Sequence, residues 1–273
     1  MNQRGFAIAA VLAIGALFMA VALRISGQAI GDSRAAAGRL NRIVLREACL
    51  SGVEIGRWLL DHDSRETDGE GDGWAAVLQR NSDELDLTIR VTDEQARINA
   101  AKLVYPDGTM NEPLWKLVAD RYPDLHAARS DIRTFLVSRQ TTAPLLTPGQ
   151  LRQIPTLTES ESPDGMTVFG NGLINVNSAS RDMLDALFDS PESVSRLLSE
   201  RSIGPFRSVF DMNERLGLTN EEFRAIFPLI CVNSSCFRIR VEGRKNDWRH
   251  SIEAIVQRSG NRTVVVRFSE WSS

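Results

Sequence analysis

MNQRGFAIAAVLAIGALFMAVALRIS, residues 1–26, holds the choice on which the fold depends. From Phe6 to Leu23 the chain carries no charge, a run of 18 residues. At 1.5 Å rise per residue such a helix is roughly 27 Å long, close to the hydrocarbon thickness of a bilayer. Arg4 precedes it, so the positive-inside bias keeps the start in the cytoplasm and sends the remainder outward. Three readings compete: a secretory signal cut after Ala20-Val21-Ala22, a permanent anchor, or a leader whose removal leaves the helix in place. The first suffers from the length of the apolar run, and no turn-forming residue separates that run from the cut.

Working outward, no proline interrupts the chain from Met1 to Leu60. Leu40, Val44, Ala48, Ile55 and Leu59 fall on one stripe at helical spacing, so they are the expected packing face. The pattern predicts a single helix of about fifty residues running from the membrane into a folded body. Gly27, Gly31 and Gly38 mark where a kink or melted stretch is expected. Cys49, on this helix, reads as a small packed residue.

The whole chain has 273 residues, 42% hydrophobic and 25% charged, which suits a globular body with one large or two small cores. A net charge of -3 and a pI near 5.8 give no basic field to draw it onto nucleic acid. Three cysteines without a CxxC pair leave a zinc site unsupported. His62, His126 and His250 lie far apart in sequence and read as surface residues. No G-x-S-x-G, P-loop or H-E-x-x-H occurs, so an enzyme is disfavoured.

After the helix comes DHDSRETDGEGDGW, residues 61–74. Asp68, Glu70, Asp72 and Gly73 match the first half of an EF-hand loop, but Gln79 stands where a bidentate glutamate closes one. A solvated loop is favoured there, with calcium the alternative. Leu85, Leu87, Ile89 and Val91 alternate with polar residues, a half-buried strand. From Ala100 to Pro228 the pattern turns helical: Leu114, Leu117 and Val118 mark one helix, Leu125, Ala128, Ile132 and Phe135 another. Thr147-Pro148 is a cap and first-turn pair, and Thr219 with Glu222 forms a capping box. Strands return in CFRIRVEG, SIEAIVQRS and TVVVRFSEW, joined by turns at Asn246-Asp247 and Ser259-Gly260-Asn261, an expected antiparallel meander. Helices between strands that should pair imply a helical insertion in an α+β host. Cys231 and Cys236 lie at the return to the sheet, five apart. In an oxidising compartment such a turn brings two α-carbons within disulfide reach; two free thiols are the equal alternative.

Residues 174–218, INVNSASRDMLDALFDSPESVSRLLSERSIGPFRSVFDMNERLGL, resemble helix-hairpin-helix modules that grip DNA backbones. Those modules approach a phosphate through a glycine-rich hairpin. Here the hairpin FDSPES has no glycine, and five arginines face seven acidic residues across the stretch. Phosphate binding needs the opposite sign, so packing or protein docking is favoured.

A short charged leader ending in glycine, followed by phenylalanine and an apolar helix, resembles type IV prepilins and pseudopilins. The resemblance implies that a prepilin peptidase cuts after Gly5 and methylates Phe6. Ala10 stands where mature pilins usually carry glutamate. DEQARINAAKL (93–103), LRQIP (151–155), INVNSAS (174–180), NSSCFRIRV (233–241) and SIEAIVQRSG (251–260) follow in the order of the type II secretion minor pseudopilin GspK family. That family implies an α+β fold: a pilin-like long N-terminal helix packed on an antiparallel sheet, with a large inserted all-helical domain. The expected division is a leader 1–5, a membrane segment 6–23, a first pilin-like part 24–99, a helical insertion 100–228 and a C-terminal sheet 229–273. It further implies a non-enzymatic subunit at the tip of a pseudopilus that supports protein export. Implied partners are the minor pseudopilins GspI and GspJ, with GspH, the prepilin peptidase and the inner membrane, and no nucleic acid. The body would lie in the periplasm of a Gram-negative bacterium. Relatives often carry an Asp-Trp-x-Asp stretch followed by a calcium-binding loop in the helical domain. This chain reads SDIRTFLVSRQTTAPLLTP there, residues 130–148, and places no such ligands. The rivals from other classes are a competence-type DNA-binding protein and a secreted protein released at Ala22.

Overall fold

In the computed structural model the described residues are 3–272, apart from 83–84, 123–124, 126, 143–144, 146 and 155–164. Side chains are described from Gly15 onward, except those of residues 141, 142 and 148. The side chains of Gly5, Phe6 and Ala10 therefore lie outside those described.

Helix α1 spans Gln3–Asp61 and passes Gly27, Gly31 and Gly38 without a break. The expected single helix is present, and no stretch of it melts. Its packing face differs in part from the expected one: Ala48 and Leu59 of that stripe pack against the core, the rest do not. Leu45, Cys49, Val53 and Leu60 are buried, whereas Leu40, Val44 and Ile55 are exposed. Gly52 and Gly56 explain the shift. A Cβ on Gly52 would sit 2.7 Å from Val241 Cγ1, and one on Gly56 2.8 Å from Ile239 Cγ2. From the sheet side, a Cβ on Gly243 would meet Cys49 Sγ at 2.9 Å. The helix approaches through its smallest residues because a flat sheet and a small-residue face bury more area together. A hydrophobicity stripe ranks glycine too low to reveal this face, although Cys49 is packed as expected.

The sheet has the order β1-β2-β7-β8-β9 and is antiparallel throughout. Its strands are β1 (Leu78–Arg80), β2 (Asp86–Asp93), β7 (Cys236–Lys245), β8 (Trp248–Ser259) and β9 (Arg262–Ser272). Leu87, Ile89 and Val91 on β2 alternate inward as predicted, joining Phe237, Ile239, Val241, Ile252, Ala254 and Val256 beneath α1. The expected meander forms, with Asn246 (φ 53°) and Gly260 (φ 54°) supplying the left-handed turn residues. Strand β1 was not anticipated.

β2 and β7 are neighbours, with Asp93 opposite Phe237, so the chain leaves the sheet and returns beside its point of exit. The excursion holds α2 (Glu112–Arg121), α3 (Arg129–Thr142), α4 (Arg181–Leu187), α5 (Pro191–Ile203), α6 (Val209–Leu216) and α7 (Asn220–Ile226). Two short parallel pairs accompany them: β3 (Ile98–Asn99) with β4 (Met166–Thr167), and β5 (Ile174–Asn175) with β6 (Ile230–Cys231). These elements bury one core from Ile98 to Val232, distinct from the core beneath α1. Thr219 and Glu222 form the expected capping box on α7. Thr147 caps as predicted, over a 3-10 segment, Pro148–Gln153.

Candidate functional site

Two features have no role in holding either core together. The first is the free part of α1. Every side chain from Gly15 to Ala37 is exposed, including Leu17, Phe18, Met19, Leu23 and Ile25. Following the chain, the helix first meets the sheet at Gly38, beside the Trp248 ring, where Arg42 also stacks at 4.3 Å. Further along, Leu40 (60% exposed), Ile43, Val44, Ile55 and Trp58 (58% exposed) form an apolar stripe turned away from the sheet. Among the described residues no helix is both long and apolar enough to cross a membrane. The side chains of residues 6–14, in the run Phe6 to Leu23, are not among those described.

The second feature is a buried polar junction where the excursion leaves and rejoins the sheet. Asp93, at the end of β2, accepts from Gln95 N–H (2.7 Å), Ser234 Oγ (2.6 Å), Asn175 Nδ2 (2.9 Å) and the Ser178 hydroxyl. Asn175 also donates to the Asp68 carbonyl at 2.9 Å. Asn177 donates to the carbonyls of Phe206 and Val232, both at 3.0 Å, and accepts the Phe206 N–H at 2.8 Å. Glu94 is fully buried and satisfied by Arg238 (2.7 Å), Arg97 (3.2 Å) and the Thr167 hydroxyl. Burial raises the Asp93 carboxyl above the ordinary range, and its four donors act against that rise.

The loop of residues 61–74 belongs to this junction and is not the solvated loop expected. Asp68 is 0% exposed; it accepts the Ser234 N–H at 2.7 Å and pairs with Arg258 at 2.8 Å. Arg258 also reaches Asp63 at 3.1 Å, and Asp61 accepts the Thr263 N–H at 2.6 Å. On the far side, Glu70 pairs with Arg201 of α5 at 3.2 Å. Asp63, Asp68 and Asp72 bring oxygens within 4.8 Å of one another, near enough for a cation. The Arg258 guanidinium already pairs with two of the three, Asp63 and Asp68.

No family model matches the chain, and no curated protein does. A solved structure does: a chain of the GspK-GspI-GspJ complex from the enterotoxigenic Escherichia coli type 2 secretion system. The TM-score is 0.69, over 87% of this chain and 99% of that chain, at 13% identity.

The fold is GspK-like.

In this GspK-like fold the stretches that carry the resemblance converge on one place. Asp93, Glu94 and Gln95, then Asn175, Asn177 and Ser178, then Ser234 and Ser235 supply most of the polar junction. Sequence reasoning noted those stretches as motifs and assigned them no role. It missed Arg258 and Asp68 as partners altogether. The candidate bridge between Cys231 and Cys236 is not formed; all three cysteines are free and buried. Gln95 reaches into the turn, accepting from Ser235 N–H and Oγ at 2.8 Å each and donating to Cys231 Sγ at 3.6 Å. Burial lifts both thiols to about 12 and Cys49 to about 11. His250 is buried between α1 and the sheet, not on the surface. The region 130–148 is mainly α3, with Asp131 its one carboxylate, so it offers no calcium ligand set. The hairpin between α4 and α5 carries Asp189 and Glu192 around the Ser190 cap, an acidic turn ill suited to phosphate.

Proposed function

We propose that the chain is a non-enzymatic minor pseudopilin of a type II secretion system. The observation that carries this reading is α1: one half is embedded on the sheet, the other projects with its apolar side chains unpartnered. A helix of that kind suits a subunit that rests in the inner membrane and then joins a helical bundle of like subunits. The body would face the periplasm, with GspI and GspJ, and GspH beyond them, as partners. The division at residues 5, 23, 99 and 228 belongs to the same proposal.

Within it, Gly5 is the residue before the cut made by the prepilin peptidase, and Phe6 the methylated new terminus. Ala10 argues for the tip. A carboxylate in the bilayer core costs roughly 2.5–3.5 kcal/mol, so a pilin keeps one for use against the preceding subunit's amine. A subunit with Ala10 has no such partner to seek, while its own amine at Phe6 stays open to the next glutamate. That asymmetry suits the first subunit of a fibre. Mass analysis of the mature N-terminus is the test. Methylated Phe6 supports the proposal, and a chain beginning at Leu23 refutes it. Gly5→Val is expected to leave an unprocessed precursor in the membrane.

A further inference from the structure

We propose that the face of the sheet turned away from α1 is a docking surface for an acidic protein. Its partner presents carboxylates to an arginine cluster on the inner strands.

The alternation that sends Leu87, Ile89, Val241 and Ile252 beneath α1 sends their neighbours to the opposite face. There the strand register lines up Gln79, Thr88, Glu242, Ser251 and Trp271 in one row across all five strands. These residues border a shallow hollow that also takes in Asp86, Arg244 and Arg249. Arg90 and Arg240 stand in the next row, where Glu253 is taken up by Arg238 at 3.1 Å. Among the described residues this open part of the face carries four arginines against two carboxylates, Asp86 and Glu242. The chain as a whole has a net charge of -3.

The register makes this cluster costly. Arg90 stands directly opposite Arg240, and Arg244 directly opposite Arg249. Like charges facing each other across a strand pair destabilise a sheet. Arg244 finds Asp86 at 2.8 Å, and Arg240 finds Glu242 at 3.3 Å with the Trp271 ring 5.6 Å away. Arg90 and Arg249 are exposed and, among the described residues, have no ion pair. Charges that guard a sheet against edge pairing belong on its outer strands. These four sit on β2, β7 and β8, while the edges are β1 and β9. An anionic partner offsets the repulsion and accounts for the placement.

The arrangement also selects the kind of anion. All four cations are arginines, whose planar fork grips a carboxylate or a phosphate through two N–H bonds. Asp86 and Glu242 stand among them and repel the unbroken phosphate array of a lipid surface or a nucleic acid. A folded protein can set carboxylates on Arg90 and Arg249, donors on Glu242 and Ser251, and an apolar side chain on Trp271, itself 43% exposed. The surface lies opposite α1, so its occupant is separate from any helix packed on the apolar stripe.

Titration of the full chain in detergent micelles with a synthetic hexaglutamate peptide, followed by amide NMR shifts, tests this. The shifts should gather on Thr88, Arg90, Glu242, Arg249 and Ser251 and spare residues 15–37, and affinity should fall as salt is added. Arg90→Gln and Arg249→Gln should each weaken binding by up to about fivefold, and the double variant by more. Neither should lower the melting temperature, because each removes one member of a like-charged pair. Absence of binding, shifts centred elsewhere, or unchanged affinity in the double variant overturns the proposal. Tighter binding of polyphosphate or of phosphatidylglycerol vesicles than of hexaglutamate also overturns it, and would assign the face to phosphates.

Discussion

Gly52 and Gly56 set the distance between α1 and the sheet, and their substitution tests that role directly. Gly52→Val places methyls against Val241 and Ile89, where even a Cβ is too close. Overpacking of that kind costs about 1–3 kcal/mol, read as a lower melting temperature. Gly31→Ala is the contrast: nothing lies within 4 Å, and the better helix former should add up to about 1 kcal/mol. Equal losses in the two variants would remove the close-approach account. At the cysteines, burial keeps the reactive thiolate scarce. All three are expected to resist alkylation in the native protein and to react in denaturant. Non-reducing peptide mapping that links Cys231 to Cys236 would contradict the free thiols seen here.

At the scale of elements, α1 presents a small-residue face to the sheet and a large apolar stripe to its surroundings. Ile43→Glu and Trp58→Glu should leave the unfolding free energy within about 0.5 kcal/mol of the parent, since both side chains are exposed. If the stripe serves assembly, the same variants should fail to co-purify with GspI and GspJ; retained co-purification would free the stripe of that role. These faces show what a sequence discloses and what it withholds. Alternation in β2, the meander turns, the Thr219 cap and the length of α1 follow from local rules, and each is legible. The rotation of α1 is not, because Gly52 and Gly56 contribute by being small and score as if they did nothing; Cys49 alone pointed to that side. The junction is hidden for another reason. Asp68, Asp93, Asn175, Ser234 and Arg258 come from five segments, each of which alone reads as ordinary turn or strand-end chemistry. Only their meeting gives Asp68 an unusual environment.

For the molecule as a whole, the proposed place at a fibre tip calls for a label that disturbs neither core. Thr67 to Gly71 is unsuitable, since Asp68 and Gly69 are buried in the junction. The exposed turn at Gly260-Asn261 suits an epitope better. Label there should mark fibre ends, and label spread along the shaft would refute the tip position. The pairing of β2 with β7 also bears on how the protein comes to fold. Those strands cannot meet until everything from residue 94 to 235 has been brought back, a chain-closure cost of about 4 kcal/mol if that stretch is still a coil. Once its own core has formed, the stretch behaves as a short rigid connection, because Ser234 bonds Asp93 and Ser235 bonds Gln95 across its two ends. The order of events is then set: helices first, sheet second, with translation delivering the parts in the same sequence. A ribosome-bound chain whose emerged part reaches Val232 should already protect the helical core from protease, while the β7 side of β2 waits for its neighbour to emerge.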